Sequence, residues 1–372
     1  VKRKLAIAAG VLLLALLIVS RLSQPPAPPP SPATAPAPTL AVPATGVLAR
    51  TVFAHYYAWY SAPPFTPDYE HWDGGDPRRA GLPANIAASS YPALDPYASA
   101  NPDVVHQHMA WLKMAGVQVL IYSWWGQGNA IDARVLPVMD AAAQEGLSVA
   151  FQLEPYSGRT FAGALADITY LNRRYGSHPA FFRASRPTEY GPSTAPRGLV
   201  FIYDPPQGGT FDSLRGTPGD SIILARQNDA RLYSDADIRA SISGLHLDGV
   251  YNYGQYVYAA LPPISSDYLA IYSASPGFDN GRSGTSRPVS VPRQDGKYYD
   301  SSWQGLAVLK PEAVAVVSFN EWHEDTQIEP ARPFSYGGYR YSDYDGAYGL
   351  AGEPAQLGYL THTADWVRRY KS

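Results

Sequence analysis

The chain has 372 residues, with charged residues at 16%, aromatics at 13%, 28 Tyr, 8 Trp and a formal charge of −3. So few charges and so many rings exclude a disordered or coiled-coil protein, both of which need charge and neither of which needs Trp. The absence of Cys removes disulfides, thiol catalysis, iron–sulfur clusters and Cys-ligated zinc. The four basic residues among the first 44 positions (Lys2, Arg3, Lys4, Arg21) are accompanied by no acid, so residues 45–372 hold 25 basic against 32 acidic groups. A nucleic-acid partner is not expected of such a body, because counterion displacement needs a basic face.

Lys2-Arg3-Lys4 precedes an apolar run from Leu5 to Ser20 that Arg21 ends. Positive charge ahead of an apolar stretch reads as an export signal over residues 1–22, either cleaved or kept as an anchor, with the N-terminus on the cytoplasmic side. Residues 23–45 carry nine Pro between Pro25 and Pro43 among Ala, Ser and Thr, a semi-rigid polyproline spacer. The expectation is an extracytoplasmic body, residues 46–372, tied to a membrane only through its N-terminal segment.

Within the body, apolar runs recur at Val52–Tyr57, Val117–Ser123, Leu147–Leu153, Gly198–Tyr203, Ser221–Ala225, Gly249–Tyr253, Leu269–Ser273 and Ala313–Phe319. Continuous runs, rather than strict alternation, predict parallel strands covered on both faces. Helices are predicted between several of them. One opens at Asn101-Pro102-Asp103, with Asn101 as cap and Pro102 in the first turn. Others cover Ala130–Glu145, ended by Gly146, then Asp235–Gly244 and Tyr299–Leu309. Eight strands with intervening helices predict a single α/β domain, a (β/α)8 TIM barrel. The stretch from Trp59 to Pro102 is too long for an ordinary connection and reads as functional lining or an excursion.

Such barrels carry their sites at the C-terminal ends of the strands. Those ends read His55-Tyr56-Tyr57-Ala58-Trp59-Tyr60, Tyr122-Ser123-Trp124-Trp125, Gln152-Leu153-Glu154-Pro155-Tyr156, Tyr203-Asp204, Tyr251-Asn252-Tyr253 and Phe319-Asn320-Glu321-Trp322-His323-Glu324. Aromatics, amides and carboxylates with few cations suit sugars, whose C–H faces stack on rings and whose hydroxyls bond to amides and acids. Gly-rich phosphate cradles are lacking. Glycoside hydrolysis asks for two carboxyl groups, and Glu321 and Glu324 stand three apart after the last strand, with Glu154 a third candidate from another strand. Close like charges raise one pKa, which suits a general acid. The two could equally be dipole-favoured residues in the first turn of a helix. No HExxH pair or acid–His ladder points to a metal, and no G-x-S-x-G elbow to a serine hydrolase.

The segment from Ser318 through Asn320, Glu321, Trp322, His323, Glu324 and Asp325 to Glu329 resembles glycoside hydrolase family 99, the endo-α-1,2-mannosidase family. So do His55–Tyr60, His71-Trp72, Ser90-Tyr91-Pro92, His108-Met109, Ser123-Trp124-Trp125, Leu153–Ser157, Asp248–Tyr253 and Asp295–Tyr299. The resemblance spans about Val52 to Tyr370. It implies a metal- and cofactor-free enzyme that cuts internal α-1,2-mannosidic bonds, or those of Glc/Man-α-1,3-Man-α-1,2-Man type, in α-mannan or high-mannose glycans with retention; a monomer is expected. Glu321 would deprotonate the sugar's own 2-hydroxyl, which attacks the anomeric carbon to give a 1,2-anhydro sugar. Glu324 would protonate the departing oxygen and later activate water. Tyr56, His71, His108, Trp125, Glu154, Tyr253, Asn320 and Trp322 would bind the substrate. Asp325 stands where Gly is expected, and Trp125 where animal members often carry Tyr. A non-catalytic sugar-binding barrel, or a polysaccharide-biosynthesis protein of related fold, is the alternative.

Overall fold

The computed structural model describes residues 48–76, 78–226, 234–254 and 267–372. Eight parallel strands form its centre: β1 (Val52–Tyr56), β2 (Val119–Trp124), β3 (Ser148–Leu153), β4 (Arg197–Ile202), β5 (Ser221–Arg226), β6 (Gly249–Tyr251), β7 (Leu269–Ala274) and β8 (Ala313–Val316). Each pairs with its sequence neighbour except across β8 and β1, where Val52 lies opposite Val314. That pairing, together with Phe151 opposite Val200 between β3 and β4, closes the sheet into a barrel. All eight predicted strands are present. The last is shorter than its apolar run: beyond Val316 the chain turns inward to its own loop, Ser318 donating its N–H to Thr326 O at 2.8 Å.

Six longer helices follow: α1 (Pro102–Met114), α2 (Val135–Gln144), α3 (Phe161–Tyr175), α4 (Asp235–Leu245), α5 (Lys297–Leu309) and α6 (Gly358–Lys371). Asn101 caps α1 as expected, accepting the Asp103 N–H at 3.0 Å. The helix expected over Ala130–Glu145 is split at Arg134, whose guanidinium turns away to donate to Ala58 O at 2.6 Å. Two helices escaped the sequence reading. In α3, Ala164, Ile168, Leu171 and Tyr175 keep helical spacing on a buried face, and Thr160 caps the start. In α6, Leu360, Thr363, Val367 and Tyr370 do the same. Between β4 and β5 a 3₁₀ turn, Phe211–Leu214, stands in for a helix.

Strand parity divides the core. Phe53, Ile121, Ala150, Leu199, Phe201, Leu224, Ile271 and Ala315 pack inside the barrel. Their neighbours Ala54, Leu120, Val149, Val200, Ile223, Ala270 and Val314 face outward, in the larger core beneath the helices. This division decides which side chains reach the top of the barrel. The leader and Pro-rich segment predicted over residues 1–45 lie outside the described residues. Among the described residues no helix is long and apolar enough to cross a membrane.

Candidate active site

Extending the inward parity beyond each strand brings Tyr57, Trp125, Glu154, Tyr203 and Tyr253 to the upper end of the barrel. There they line a cleft of about 400 Å³ together with Trp59, Gln152, Asn280, Ser283, Glu321, His323 and Glu324. The wall is thus half aromatic and half polar, and it holds three carboxyl groups.

Glu321 is 3% exposed, and it receives the Glu324 N–H on Oε2 at 2.6 Å. Burial, and then the neighbouring Glu324 charge, hold the Glu321 carboxyl well above the usual carboxylate range. Burial also raises Glu324, against a 2.9 Å hydrogen bond donated by the Tyr253 hydroxyl that favours its charged form. Tyr253 in turn receives the Tyr57 hydroxyl at 2.7 Å, so a directed chain runs Tyr57 to Tyr253 to Glu324. Two like carboxyls this close in one cleft release protons in two separated steps that belong to the pair.

Glu154 is buried at the end of β3, and burial pushes it up to about 7. Its Oε1 accepts from Ser123 Oγ at 2.7 Å and from Gln152 Nε2 at 2.6 Å. Trp125 Nε1 donates to the same Ser123 oxygen at 3.0 Å, and Tyr251 donates to Gln152 Oε1 at 2.9 Å, so both supporting groups are held in one orientation. The Tyr57 hydroxyl is raised by burial and then by Glu154, Glu324 and Glu321, which places it among all three acids. Burial lowers His323, leaving it neutral at neutral pH.

The loop carrying the two acids is built from within. Asn320 pairs with Tyr57 through two 2.8 Å bonds, accepting the main-chain N–H on Oδ1 and donating Nδ2 to the carbonyl, and so ties the end of β8 to the end of β1. Ser318 Oγ accepts the Glu321 N–H at 2.8 Å, and the Tyr60 hydroxyl accepts the Trp322 N–H at 3.0 Å. Arg293 donates Nη2 to Asp325 O and Gln327 O at 2.8 Å each. Asp325 itself has φ of +50°, the left-handed region that favours Gly but that Asp enters more readily than most residues. An Asp is therefore compatible with the turn a Gly would make. Its carboxylate also accepts from Ser90 at 2.6 Å, from Gln327 at 2.9 Å and from Arg293 at 3.3 Å. Asp325→Gly is expected to destabilise the fold by about 2–4 kcal/mol, because it takes the buried carboxylate from Ser90, Gln327 and the half-buried Arg293 guanidinium. Chemical denaturation at pH 7 checks this; an unchanged midpoint and slope would mean that the eased backbone offsets the lost bonds.

Of the predicted site residues, Glu321, Glu324, Glu154, Trp125 and Tyr253 come together in the cleft. Tyr56 does not reach it: parity turns it outward beside Ala54, fully buried, with its hydroxyl 3.2 Å from His108 Nδ1. His108 lies there too, its Nε2 3.0 Å from Glu329. Trp322 is fully buried and donates Nε1 to Glu329 at 2.9 Å. Asn320 is equally buried and works through the backbone of Tyr57. These four shape the site from outside its lining. His71 stacks on Trp59 at 4.7 Å between ring centres, next to the lining. Tyr57, Trp59, Gln152, Tyr203 and His323, present in the strand-end clusters but not singled out, also line the cleft, and Asn280 and Ser283 were missed. Strand parity points to Tyr57 over Tyr56, whereas Asn280 and Ser283 sit on a loop after β7 with no local signal. Among the described residues, no three His, Asp or Glu side chains converge as a metal-binding set.

A family model described as "Glycosyl hydrolase family 99" matches residues 47–372. A glycoprotein endo-alpha-1,2-mannosidase-like protein of Danio rerio is 33% identical over 359 residues, covering 85% of this chain and 77% of its own. The glycoprotein endo-alpha-1,2-mannosidase of Rattus norvegicus is 30% identical over 364 residues, covering 86% and 74%. The solved structure of the GH99 endo-alpha-mannosidase from Bacteroides thetaiotaomicron superposes with a TM-score of 0.71 at 28% identity, covering 87% of this chain and 98% of that one.

Proposed function

Since this chain belongs to glycoside hydrolase family 99 and is a glycosidase, we propose that it is a retaining endo-α-mannosidase acting within α-mannan or high-mannose glycans. The observation that carries the reading is the pair of buried Glu321 and half-buried Glu324 in the cleft, each acid held by a donor of its own. In the first step Glu321 takes the proton of the sugar 2-hydroxyl and O2 forms a bond to C1. The bond from C1 to the departing oxygen breaks, and that oxygen takes its proton from Glu324. In the second step Glu324 takes a proton from water, whose oxygen attacks C1. The C1–O2 bond of the anhydro sugar then opens, and O2 recovers its proton from Glu321. Two inversions give net retention, and atoms balance as hydrolysis.

The raised pKa of Glu324 supports its role as the acid, whereas Glu321, raised as well, must first lose its proton to act as the base. An acid that keeps its proton near neutrality can donate it, and an entering 2-hydroxyl that hydrogen-bonds Glu321 favours that group's charged form. Tyr253 occupies one oxygen of Glu324 and so leaves the other for the departing oxygen. In an α-mannoside the axial O2 lies trans to the leaving group, so the attack gains the advantage of intramolecularity. Trp125, Trp59 and Tyr203 would stack on sugar faces, and Glu154 would accept a sugar hydroxyl. Export across a membrane, with residues 1–22 as signal or anchor and residues 23–45 as stalk, is the accompanying proposal; it rests on Lys2-Arg3-Lys4 and the apolar run after it.

Incubation with yeast α-mannan and with a monoglucosylated high-mannose glycan, followed by product analysis, tests this. Release of an oligosaccharide from inside a chain, with the α-anomer formed first, is expected from at least one of them. Absence of product from both, or glycosyl transfer from a nucleotide sugar without hydrolysis, would overturn the reading.

A further inference from the structure

The loops around the cleft hold a second aromatic feature that the chemistry above does not use. Strands Ser335–Tyr336 and Tyr339–Arg340 form a hairpin whose two-residue turn, Gly337-Gly338, has positive φ at both positions, the tight turn that matches strand twist. Tyr336 and Tyr339 are direct cross-strand partners, so their side chains leave the hairpin from one face. They are 43% and 36% exposed, a large apolar area for two adjacent residues.

Both rings are braced. The Arg282 guanidinium carbon lies 3.9 Å from the centre of the Tyr339 ring, and Tyr341 meets that ring edge-on at 5.0 Å. Arg282 is itself fixed, donating to Asn85 Oδ1 at 2.9 Å, Ile86 O at 3.0 Å and the Tyr341 hydroxyl at 3.2 Å. Tyr336 leans on Gly81, where a Cβ would stand 2.4 Å from its hydroxyl oxygen. Rings braced in this way lose little freedom when something stacks on them.

The platform adjoins the cleft. Arg282 immediately precedes Ser283, which lines the cleft as Asn280 does, and the Asp279 N–H at the base of the same loop donates to Glu324 O at 2.7 Å. From this geometry we propose that Tyr336 and Tyr339 form a distal sugar-binding platform that holds an uncleaved stretch of the polysaccharide beyond the cleft. The proposal rests on the glycan reading above and deepens it. A cleft of about 400 Å³ takes only a few sugar units, so a longer chain must pass over its rim. Tyr rings offer the flat apolar face and polar edge that pyranose C–H faces and hydroxyls require.

The test uses the full chain in the Glu321→Gln background, so that the probe is not digested. Migration in a native gel containing yeast α-mannan reads polymer binding, and calorimetry with an α-mannotetraose reads the cleft. Retardation by mannan is expected for Glu321→Gln. Adding Tyr336→Ala and Tyr339→Ala should weaken it about tenfold with mannotetraose affinity unchanged, and Tyr336→Phe with Tyr339→Phe should retain most of it. Equal retardation with and without the rings, no retardation at all, or a parallel loss of mannotetraose binding would each overturn the platform. Far-ultraviolet circular dichroism and unfolding temperature identify a variant that has lost its fold; the singly substituted Tyr339→Ala variant then decides. If the wild type hydrolyses neither mannan nor the high-mannose glycan yet is retarded by mannan in a ring-dependent way, the platform stands and the proposed activity falls.

Discussion

Glu321→Gln and Glu324→Gln are each expected to lower turnover on a glycan substrate by about 10²–10⁴-fold, the range that positioned acid–base help supplies. Both substitutions preserve shape and the local hydrogen bonds. The amide oxygen of a Gln at 321 can still accept the Glu324 N–H, and at 324 it can still accept the Tyr253 hydroxyl. What is lost is proton transfer. An aryl mannoside with a good leaving group separates the two roles, because its departing phenolate needs no proton. With it, Glu324→Gln should regain a rapid burst of phenolate release, whereas Glu321→Gln should stay slow because the 2-hydroxyl still has no base. A carboxyl that burial has raised costs the fold stability once the unfolded chain ionises, so at neutral pH the unfolding temperature should hold or rise in both. Near-wild-type turnover in either variant would remove that residue from the mechanism, and a burst in Glu321→Gln alone would exchange their roles.

The proposal that two neighbouring acids act was legible in the sequence because the segment Asn320 to Glu324 follows an apolar strand and gathers unusual residues. The barrel was legible for a related reason: parallel strands covered on both faces leave long apolar runs that nothing else in a body this size would need. What the sequence reading blurred was direction. Taking each strand end as a cluster put Tyr56 in the cleft, although Phe53 inside the barrel fixes His55 and Tyr57 as the inward pair and sends Tyr56 out to His108. The same alternation separates Trp125, in the cleft, from Trp124, which is buried with its Nε1 on Asp132 at 2.8 Å. Other residues could not be placed from local pattern. Tyr97, His108 and Trp322 converge on Glu329 from three separate segments, and that convergence exists only once the barrel has closed. The Asn280–Ser283 wall and the Tyr336–Tyr339 hairpin come from loops whose composition marks a turn and nothing more.

The third carboxyl gives a prediction about stability as well as catalysis. Burial pushes Glu154 from its ordinary 4.5 to about 7, with the hydrogen bonds from Gln152 and Ser123 and the charges of Arg159 and Arg226 offsetting only part of the cost. A carboxyl whose folded pKa is raised contributes stability that is fully present below its unfolded pKa. That contribution is lost as the pH rises toward about 7, because the unfolded chain ionises freely while the folded one resists. The shift corresponds to about 3 kcal/mol once the group is ionised in both states. Glu154→Gln removes this dependence, since a Gln oxygen at 154 still accepts from Ser123 and Gln152. Denaturation of the two proteins is therefore expected to coincide near pH 4.5 and to diverge above it, with the variant the more stable by up to about 3 kcal/mol at pH 8. Curves that stay parallel from pH 4.5 to pH 8 would show that Glu154 is not held neutral by burial. Turnover should move the other way. A carboxylate that grips a sugar hydroxyl contributes roughly 1.5–3 kcal/mol, so kcat/KM is expected to fall by about ten- to a hundredfold in the same variant. Stability gained and activity lost in one substitution would mark Glu154 as a group kept for the ligand at a cost to the fold, which a merely structural acid would not show.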